Sequence, residues 1–267
     1  MLRQPAVAGM FYPADAVLLR QTVQQLMKSS LAPDAHVRPK ALIAPHAGYV
    51  YSGAVAGQAY ARLTPYAEAI RRVVLLGPAH RVRLRGLALP EADSFATPLG
   101  VVPVDQASVR HLAGMKQVVV SDAAHALEHS LEVQLPFLQS VLDHFTLVPL
   151  AVGDATGEEV AEVLETLWGG PETLIVISSD LSHYLPYAEA QRTDHDTVDR
   201  ILRGRLLDRY DQACGALPIN GLLLAASRRD LVPKVIAQCN SGDTAGDRQR
   251  VVGYASVAFL EGQGSIQ

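Results

Sequence analysis

Histidine or acidic side chains follow three apolar stretches of this chain, at the point where each stretch ends. His46 comes directly after Pro45, His80 follows the run VVLLGPA, and Asp180 follows LIVISS, with His183 three residues further on. Imidazole and carboxylate groups bind metal ions and transfer protons. A single histidine at a strand end is more often a turn residue. Three such positions favour a shared site, because ligands bind beyond the carboxyl ends of strands in open α/β sheets.

Two further segments carry side chains that are competent for chemistry. Glu128 and His129 lie in DAAHALEHSLEVQ (122–134), where a loop enters a helical pattern, and we expect them to line the same crevice. Cys214 precedes a predicted helix, a position that lowers the pKa of a thiol and suits a metal ligand or a nucleophile. The alternative for Cys214 is a buried small hydrophobe. For His125 we favour a structural position in the charged first turn of a helix.

These side chains make up a sensible metal-binding set. Two neutral imidazoles with one anionic ligand leave coordination positions open, as in non-haem iron sites and catalytic zinc sites. The candidate ligands are far apart in the sequence, so their spacing by itself is not diagnostic. Short-spaced metal motifs, GxSxG, Walker A and GxGxxG are all absent from the chain.

The stretches that position these residues are continuous apolar strands separated by amphipathic helical patterns. Most of the strands lack strict polar alternation, which indicates a sheet covered on both faces. The chain therefore predicts a three-layer α/β/α fold with a mixed, mostly buried central sheet. The predicted strands are 40–44, 72–76, 86–89, 118–120, 145–151, 173–177 and 251–259, and the predicted helices are 17–27, 54–63, 131–142, 158–167, 188–202 and 217–228.

The chain shows no linker and no internal repeat, so we predict one domain over residues 1–267. The polar stretch 240–250 lies between two apolar runs and is typical of a hairpin loop. The turn-rich segment 86–103 predicts a small antiparallel extension of the main sheet.

The composition narrows the function classes. A net charge of −4 argues against a broad nucleic-acid or membrane surface, and we interpret Arg81, Arg83 and Arg85 as solvated surface. The cysteines, Cys214 and Cys239, exclude a disulfide-stapled scaffold and are typical of a reducing compartment. No apolar stretch approaches the ~20 residues that span a bilayer, and no signal peptide is evident. We expect a cytoplasmic protein that binds neither nucleic acid nor membrane.

Six short motifs occur in a fixed order along nearly the whole chain, and together they resemble the Memo family. They are PAVAGMFYP (5–13), IAPHAGYVYSG (43–53), LLGPAH (75–80), EHSLEVQLPFL (128–138), SSDLSHY (178–184) and CGALPI (214–219). The family is named from mediator of cell motility, and its bacterial and archaeal members are called AmmeMemoRadiSam system protein B. The resemblance implies the fold of class III extradiol ring-cleaving dioxygenases of the LigB type.

The resemblance also implies residue roles. His46 and His80 match the two metal-ligand histidines, and Cys214 falls where the dioxygenases have a carboxylate ligand. His183 matches the acid/base histidine, with Asp180 beside it. A thiolate is a softer ligand than a carboxylate, so Fe(II) is the first choice of metal while Cu and Zn stay open.

Three functions remain open at this point. The first is a metal-dependent, redox-active, dioxygenase-like enzyme for a small aromatic molecule, with Tyr49, Tyr51 and Tyr184 joining Glu128 and His129 as pocket walls. The second is a non-catalytic adaptor that binds a peptide or partner protein in the same crevice. The third is nucleophilic catalysis by Cys214 and His183. The resemblance further implies AMMECR-type and radical SAM partner proteins.

Overall fold

Strands and helices alternate along the chain in the computed structural model, which describes residues 1–28, 37–208 and 211–261. Within these residues the strands are β1 (Leu2–Arg3), β2 (Pro39–Ala44), β3 (Arg72–Pro78), β4 (Leu87–Leu89), β5 (Ser94–Thr97), β6 (Gly100–Pro103), β7 (Val118–Val120), β8 (Thr146–Val152), β9 (Thr173–Ser178), β10 (His183–Leu185), β11 (Val232–Asn240) and β12 (Val251–Leu260). The helices are α1 (Ala16–Lys28), α2 (Tyr49–Ala61), α3 (Gln106–Leu112), α4 (Asp122–Ala126), α5 (Leu135–Val141), α6 (Gly157–Thr166), α7 (Tyr187–Leu202) and α8 (Ala216–Ser227).

The main sheet is mixed, with a parallel centre. Its strand order is β10-β12-β2-β9-β3-β8-β4-β7, and β11 pairs with β12 along the length of both strands. β2, β9, β3 and β8 are consecutive and parallel, in a register that sets Ala44 beside Ser178 and Leu76 beside Ile177. Because parallel strands all end at the same edge, the residues that follow β2, β3 and β9 emerge next to one another.

Both faces of the sheet are buried, which confirms the predicted three-layer α/β/α fold. Alternate residues of a strand enter opposite layers, so Ile43 of β2 packs in the layer that contains α6 and α8, and Leu42 packs in the layer that contains α1, α2 and α5. The neighbouring strands β3 and β9 divide their side chains in the same way. Burial on both faces removes the need for polar residues in the strands, which explains their continuous apolar character.

Two predicted elements differ from the observed ones. α2 begins at Tyr49 instead of residue 54. It packs closely on α1 through small residues: a Cβ atom at Gly57 would lie only 2.6 Å from the carbonyl oxygen of Leu26. The predicted helix over 131–142 divides into a 3₁₀ turn (Glu132–Gln134) and α5, because Pro136 is tolerated only in the first turn of a helix.

The turn-rich segment 86–103 is only partly an extension of the main sheet. β4 joins that sheet antiparallel to β8, as predicted. The β5–β6 hairpin instead forms a separate three-stranded sheet with β1, because the N-terminal strand occupies its free edge. The polar stretch 240–250 does connect the antiparallel pair β11 and β12, as predicted. Among the described residues no helix is long and apolar enough to cross a membrane. The single domain over 1–267 stays a prediction.

Candidate metal centre

Three histidines converge beyond the carboxyl ends of the parallel strands. His46 follows β2, His80 follows β3, and His129 lies in the loop after α4. One ring nitrogen of each histidine lies within 4.8 Å of those of the other two. His46 is 2% exposed, whereas the side chain of His80 is 29% exposed. The cluster therefore has a buried side at His46 and a side that opens toward solvent at His80.

The protonation of His46 is determined by Ser178 at the end of β9. The Ser178 hydroxyl donates to the carbonyl oxygen of Ser130 at 2.5 Å, and Nδ1 of His46 lies 3.0 Å from the same Oγ. Because the hydroxyl has one hydrogen and uses it toward Ser130, Nδ1 of His46 must be the donor to Ser178. Nε2 then keeps its lone pair, which is the form that binds a metal ion. Burial, reinforced by the charges of His80 and His129, lowers the pKa of His46 well below its usual value.

His80 is oriented by a buried carboxylate. Glu128, 1% exposed, accepts from the backbone N–H of His80 at 2.6 Å and from its Nδ1 at 2.9 Å, and also from the N–H of Ser130 at 2.9 Å. Burial alone would raise the pKa of Glu128, but the hydrogen bonds and charge from His80 lower it to about 2. A carboxylate that holds Nδ1–H leaves Nε2 as the ligand atom and makes it more basic.

His129 contributes a nitrogen that nothing in the described chain uses. Its ring stacks on that of His80 with centroids 4.8 Å apart, and the Phe11 ring packs 4.8 Å from its centroid. Nδ1 of His129 is buried and makes no hydrogen bond to any described residue, although it lies 3.4 Å from a carboxylate oxygen of Glu128. Burial lowers the pKa of His129 to about 4, opposed by Glu128 and aided by the charges of His80 and Arg81. The ring is thus neutral at pH 7.

Cys214 lies beside His46, at the start of the segment that leads into α8. Its Sγ is 3.3 Å from Nε2 of His46 and accepts from the backbone N–H of Asp180 at 3.4 Å. The expected lowering of the thiol pKa is wrong, since burial raises the pKa of Cys214 and the charge of Asp180 raises it further. Desolvation of the thiolate outweighs the helix dipole, because α8 begins only at Ala216. A neutral thiol argues against Cys214 as a free nucleophile.

Asp180 and His183 extend the site on the side of β10. Asp180 is 4% exposed and accepts from the backbone N–H of His46 at 2.7 Å. Burial raises the pKa of Asp180 to about 7, although hydrogen bonds from the backbone of His46 and Ala47 oppose the rise. His183 stands at the start of β10, outside the three-histidine cluster, and burial lowers its pKa. It is therefore neutral at pH 7 and able to accept a proton.

Two clefts meet at His80 and Cys214. We call the first the arginine cleft; it has a volume of about 1010 Å³ and is lined by residues 78–85, 152–154, Cys214, Leu217 and Pro218. We call the second the acidic cleft; it has a volume of about 720 Å³ and is lined by His80, His183, Leu185, Glu189, Arg192, Thr193, Asp196, Asp211, Gln212 and Cys214. Both clefts share His80 and Cys214, so a ligand in either one reaches the histidine cluster.

The three predicted pocket tyrosines lie in different places. Tyr49 is buried in the core, because α2 begins at this residue and its ring turns inward. Its hydroxyl donates to the carbonyl oxygen of Val133 at 2.7 Å. Tyr51 is on the same helix and 37% exposed, and neither tyrosine is among the described residues that line the two clefts. Tyr184 is 61% exposed, has a left-handed backbone with φ 60°, and its ring lies 5.8 Å from that of His183.

The residues at this centre fit a divalent metal ion. Three imidazoles lie close together, and the Nδ1 atoms of His46 and His80 are held by Ser178 and Glu128, which leaves their Nε2 atoms as the ligand atoms. His129 adds a buried nitrogen that makes no hydrogen bond to any described residue. The thiol of Cys214 lies beside His46 but is not part of the three-histidine group. Imidazole and thiolate donors suit Fe, Cu or Zn better than Mg or Ca.

Sequence reasoning missed the residues that support the ligands. Ser178 and Gln134 form the hydrogen-bonded support of His46, with Gln134 Nε2 donating to Ser178 Oγ at 2.8 Å. The sequence predicts His129 in the pocket wall, and the structure brings it into the histidine cluster itself. The signal lay in the motifs SSD and EHSLEVQ, whose polar residues flank the predicted ligands.

Known proteins are similar to this chain over nearly its whole length. A family model described as Memo-like protein matches residues 3–258. The chain is 36% identical over 275 residues to a MEMO1 family protein of Aquifex aeolicus (strain VF5), covering 97% of this chain and 99% of that protein. It is 34% identical over 283 residues to a MEMO1 family protein of Sulfolobus acidocaldarius, with 97% and 99% covered.

A solved structure supports the fold. The crystal structure of the uncharacterized protein JW3007 from Escherichia coli K12 aligns with a TM-score of 0.54 at 15% identity, covering 82% of this chain and 99% of that one. At 15% identity the match supports the fold and nothing further. On the match over residues 3–258 and the identity to these relatives, the chain belongs to the Memo family.

Proposed function

We propose that this protein binds one divalent metal ion, Fe(II) as first choice, and uses it in the oxidation of a small aromatic diol. The observation that carries the proposal is the convergence of His46, His80 and His129, whose ring nitrogens lie within 4.8 Å of one another. His46 and His80 are the first two proposed ligands. Cys214 is the proposed third ligand, and His129 is the alternative for that third position. When bound, the metal supplies a redox centre for ring-cleaving oxidation by O₂.

The protein's own residues prepare this chemistry. Glu128 and Ser178 fix the orientation of two imidazoles, which lowers the cost of assembling the site. His183 lines the acidic cleft together with His80 and is neutral, so it accepts a proton from a substrate hydroxyl in that cleft. Asp180 holds the backbone N–H of His46 and so acts through that residue.

The first test is metal uptake. Protein purified without oxygen and loaded with Fe(II) is expected to hold one ion per chain by elemental analysis, with Cu(II) and Zn(II) loaded in parallel. His46→Ala and His80→Ala should each lower this stoichiometry to near zero, whereas His144→Ala, an exposed histidine outside the cluster, should not. Unchanged uptake in both cluster variants would overturn the metal proposal.

The second test is turnover. The loaded protein is assayed for ring cleavage with a panel of catechols in the presence of O₂. His183→Gln is expected to lower turnover by about 10²-fold or more while the metal content stays the same, because it removes only a proton acceptor. Full metal uptake without turnover on any catechol would favour the alternative, in which the same crevice binds a peptide or partner protein.

A further inference from the structure

The two clefts that meet at the histidine cluster differ in charge. Among the described residues, and apart from His80 and Cys214, the acidic cleft is lined by Glu189, Asp196 and Asp211 against one arginine, Arg192. The described lining of the arginine cleft has three arginines, 81, 83 and 85, against one carboxylate, Asp154. A ligand that carries an anionic group is therefore attracted to one arm of the site and repelled from the other.

Only two of the three arginines are available to a ligand. Arg85 donates to the carbonyl oxygen of Asp154 at 2.7 Å and to the carboxylate of Glu159 at 2.6 Å, so its guanidinium is already satisfied. Arg81 and Arg83 are exposed and make no hydrogen bond or ion pair with any residue in the described part of the chain. They lie on alternate positions of the segment that directly follows His80.

Two neighbouring features favour an anion in the same place. α8 begins at Ala216 without a side-chain cap, and its second and third residues, Leu217 and Pro218, line the arginine cleft. The first turn of a 12-residue helix carries a partial positive charge. The positive charge of Arg81 also reaches the histidine cluster, where it acts on His129. The cleft thus combines two free guanidinium groups with a helix N-terminus next to the proposed metal.

We propose that Arg81 and Arg83 form a binding site for the anionic group, a carboxylate or a phosphate, of the small molecule that reacts at the histidine cluster. The anion site itself does not depend on the proposed function. Only the position of the rest of the molecule, at the metal, rests on it. Guanidinium groups bind both anions through paired, charge-assisted hydrogen bonds. The arrangement orients the molecule, with its charged end in the arginine cleft and its reactive end toward His80.

The test uses small aromatic anions and an uncharged analogue. Binding of benzoate, phenyl phosphate and benzamide is measured by calorimetry or by ligand-observed NMR, with the full chain both metal-free and loaded. The double variant Arg81→Gln/Arg83→Gln is compared with the unaltered chain and with Arg192→Gln, which removes one exposed cation from the acidic cleft. Neither of the two arginines has a partner among the described residues, so the double variant should keep its melting temperature.

The double variant is expected to bind the anionic probes about tenfold or more weakly, in keeping with the loss of two charge-assisted hydrogen bonds. Benzamide binding, and anion binding by Arg192→Gln, should change by less than about twofold, because neither depends on these two charges. Preference for benzoate over phenyl phosphate would identify a carboxylate ligand, and the reverse would identify a phosphate ester. Equal anion binding by the double variant and the unaltered chain, or no anion binding by the unaltered chain, would overturn the proposal.

The experiment separates this inference from the proposed function. Metal uptake by the double variant is measured in the same preparation and should stay at one ion per chain. If the unaltered chain binds no metal but binds the anions through Arg81 and Arg83, the proposed redox function fails while the anion site stands. If metal binds normally and the arginine substitutions leave anion affinity unchanged, the anion site fails alone.

Discussion

The Sγ atom of Cys214 lies 3.3 Å from Nε2 of His46, the ring nitrogen that is left unprotonated because Nδ1 donates to Ser178. The thiol keeps its proton, since burial raises its pKa, and both Nε2 of His46 and the carbonyl oxygen of Asp180 lie within its hydrogen-bond reach. A metal ion that takes both atoms as ligands must displace this proton. This relationship separates the two candidates for the third ligand, Cys214 and His129.

Metal binding through Cys214 should release one proton per ion at pH 7. The apparent affinity should then rise about tenfold per pH unit near neutrality, because each binding event removes one proton. Calorimetry in buffers of different ionisation enthalpy measures this release. In Cys214→Ala the release should disappear and affinity should fall, because the remaining imidazoles of His46 and His129 are already neutral. An unaltered chain that binds metal without releasing a proton would assign the third position to His129.

Replacing Glu128 by Gln should weaken metal binding about 10- to 100-fold, the usual effect of removing the group that orients a ligand histidine. The Glu128 carboxylate accepts from both the backbone N–H and Nδ1 of His80, whereas an amide would turn its NH₂ group toward one of these donors. Competition with a coloured chelator measures the change. Glu68→Gln, at an exposed position, is the matched control, and an equal loss in both variants would contradict the positioning role.

Removal of the Glu132 carboxylate should destabilise the fold by about 3–5 kcal/mol, because it leaves the Arg3 guanidinium buried without its counter-charge. Glu132 is fully buried, is paired with Arg3, and accepts from the backbone N–H of Ala6 at 2.7 Å and of Val7 at 3.0 Å. Urea unfolding of Glu132→Gln measures the loss.

The control for this change is an exposed ion pair. Glu158→Gln removes one of the two carboxylates that pair with Arg228 at the surface, and it should destabilise the fold much less than Glu132→Gln. Arg3 also donates to the carbonyl oxygens of His125 and Glu128, so we expect Glu132→Gln to weaken metal binding as well. A stability loss no larger than that of the control would show that the buried pair contributes nothing specific.

The buried carboxyl of Asp194 should make stability fall as pH rises from about 4 to about 7. Burial raises its pKa in the folded chain to about 6 from the usual 3.8, so between these values the folded chain binds more protons than the unfolded one. The contribution of Asp194 to the free energy of unfolding is therefore greatest below pH 4 and is lost as the pH passes 6. Asp194→Asn should be more stable than the parent at pH 8 by an amount on the order of 2 kcal/mol. Urea titrations of the variant and the parent at pH 5 and pH 8 measure this gain. The same difference in the free energy of unfolding at both pH values would contradict the prediction.

Much of the fold could be predicted because its signals are local. The apolar runs of β2, β3 and β9 are continuous, and each ends at a residue that breaks the ladder or carries a polar side chain. Their shared direction follows from the helices between them, so His46 and His80 could be assigned to one edge without knowing any contact. Arg81, Arg83 and Arg85 are exposed, as predicted, but the cleft that they line is formed with segments distant in the chain, which no local pattern predicts.

The remaining errors have one physical origin. The inward turn of Tyr49 depends on where α2 starts, and that boundary is decided by the packing of α2 on α1. The raised pKa of the Cys214 thiol depends on burial by residues distant in the chain, which no local pattern reports. The place of His129 in the cluster depends on a loop held by Arg3, more than 120 positions away along the chain.

The sequence by itself determined the α/β layers, the family, and the delivery of His46, His80 and Asp180 to a common edge, because hydrophobic periodicity and strand-ending residues act over a few positions. The tertiary structure alone decided which of these side chains meet, which nitrogen of His46 keeps its lone pair, and which arginines stay free. Those properties depend on hydrogen-bond partners and desolvation contributed by separate elements, such as Ser178 against His46 and Glu128 against His80. Such contacts form only when the chain has folded.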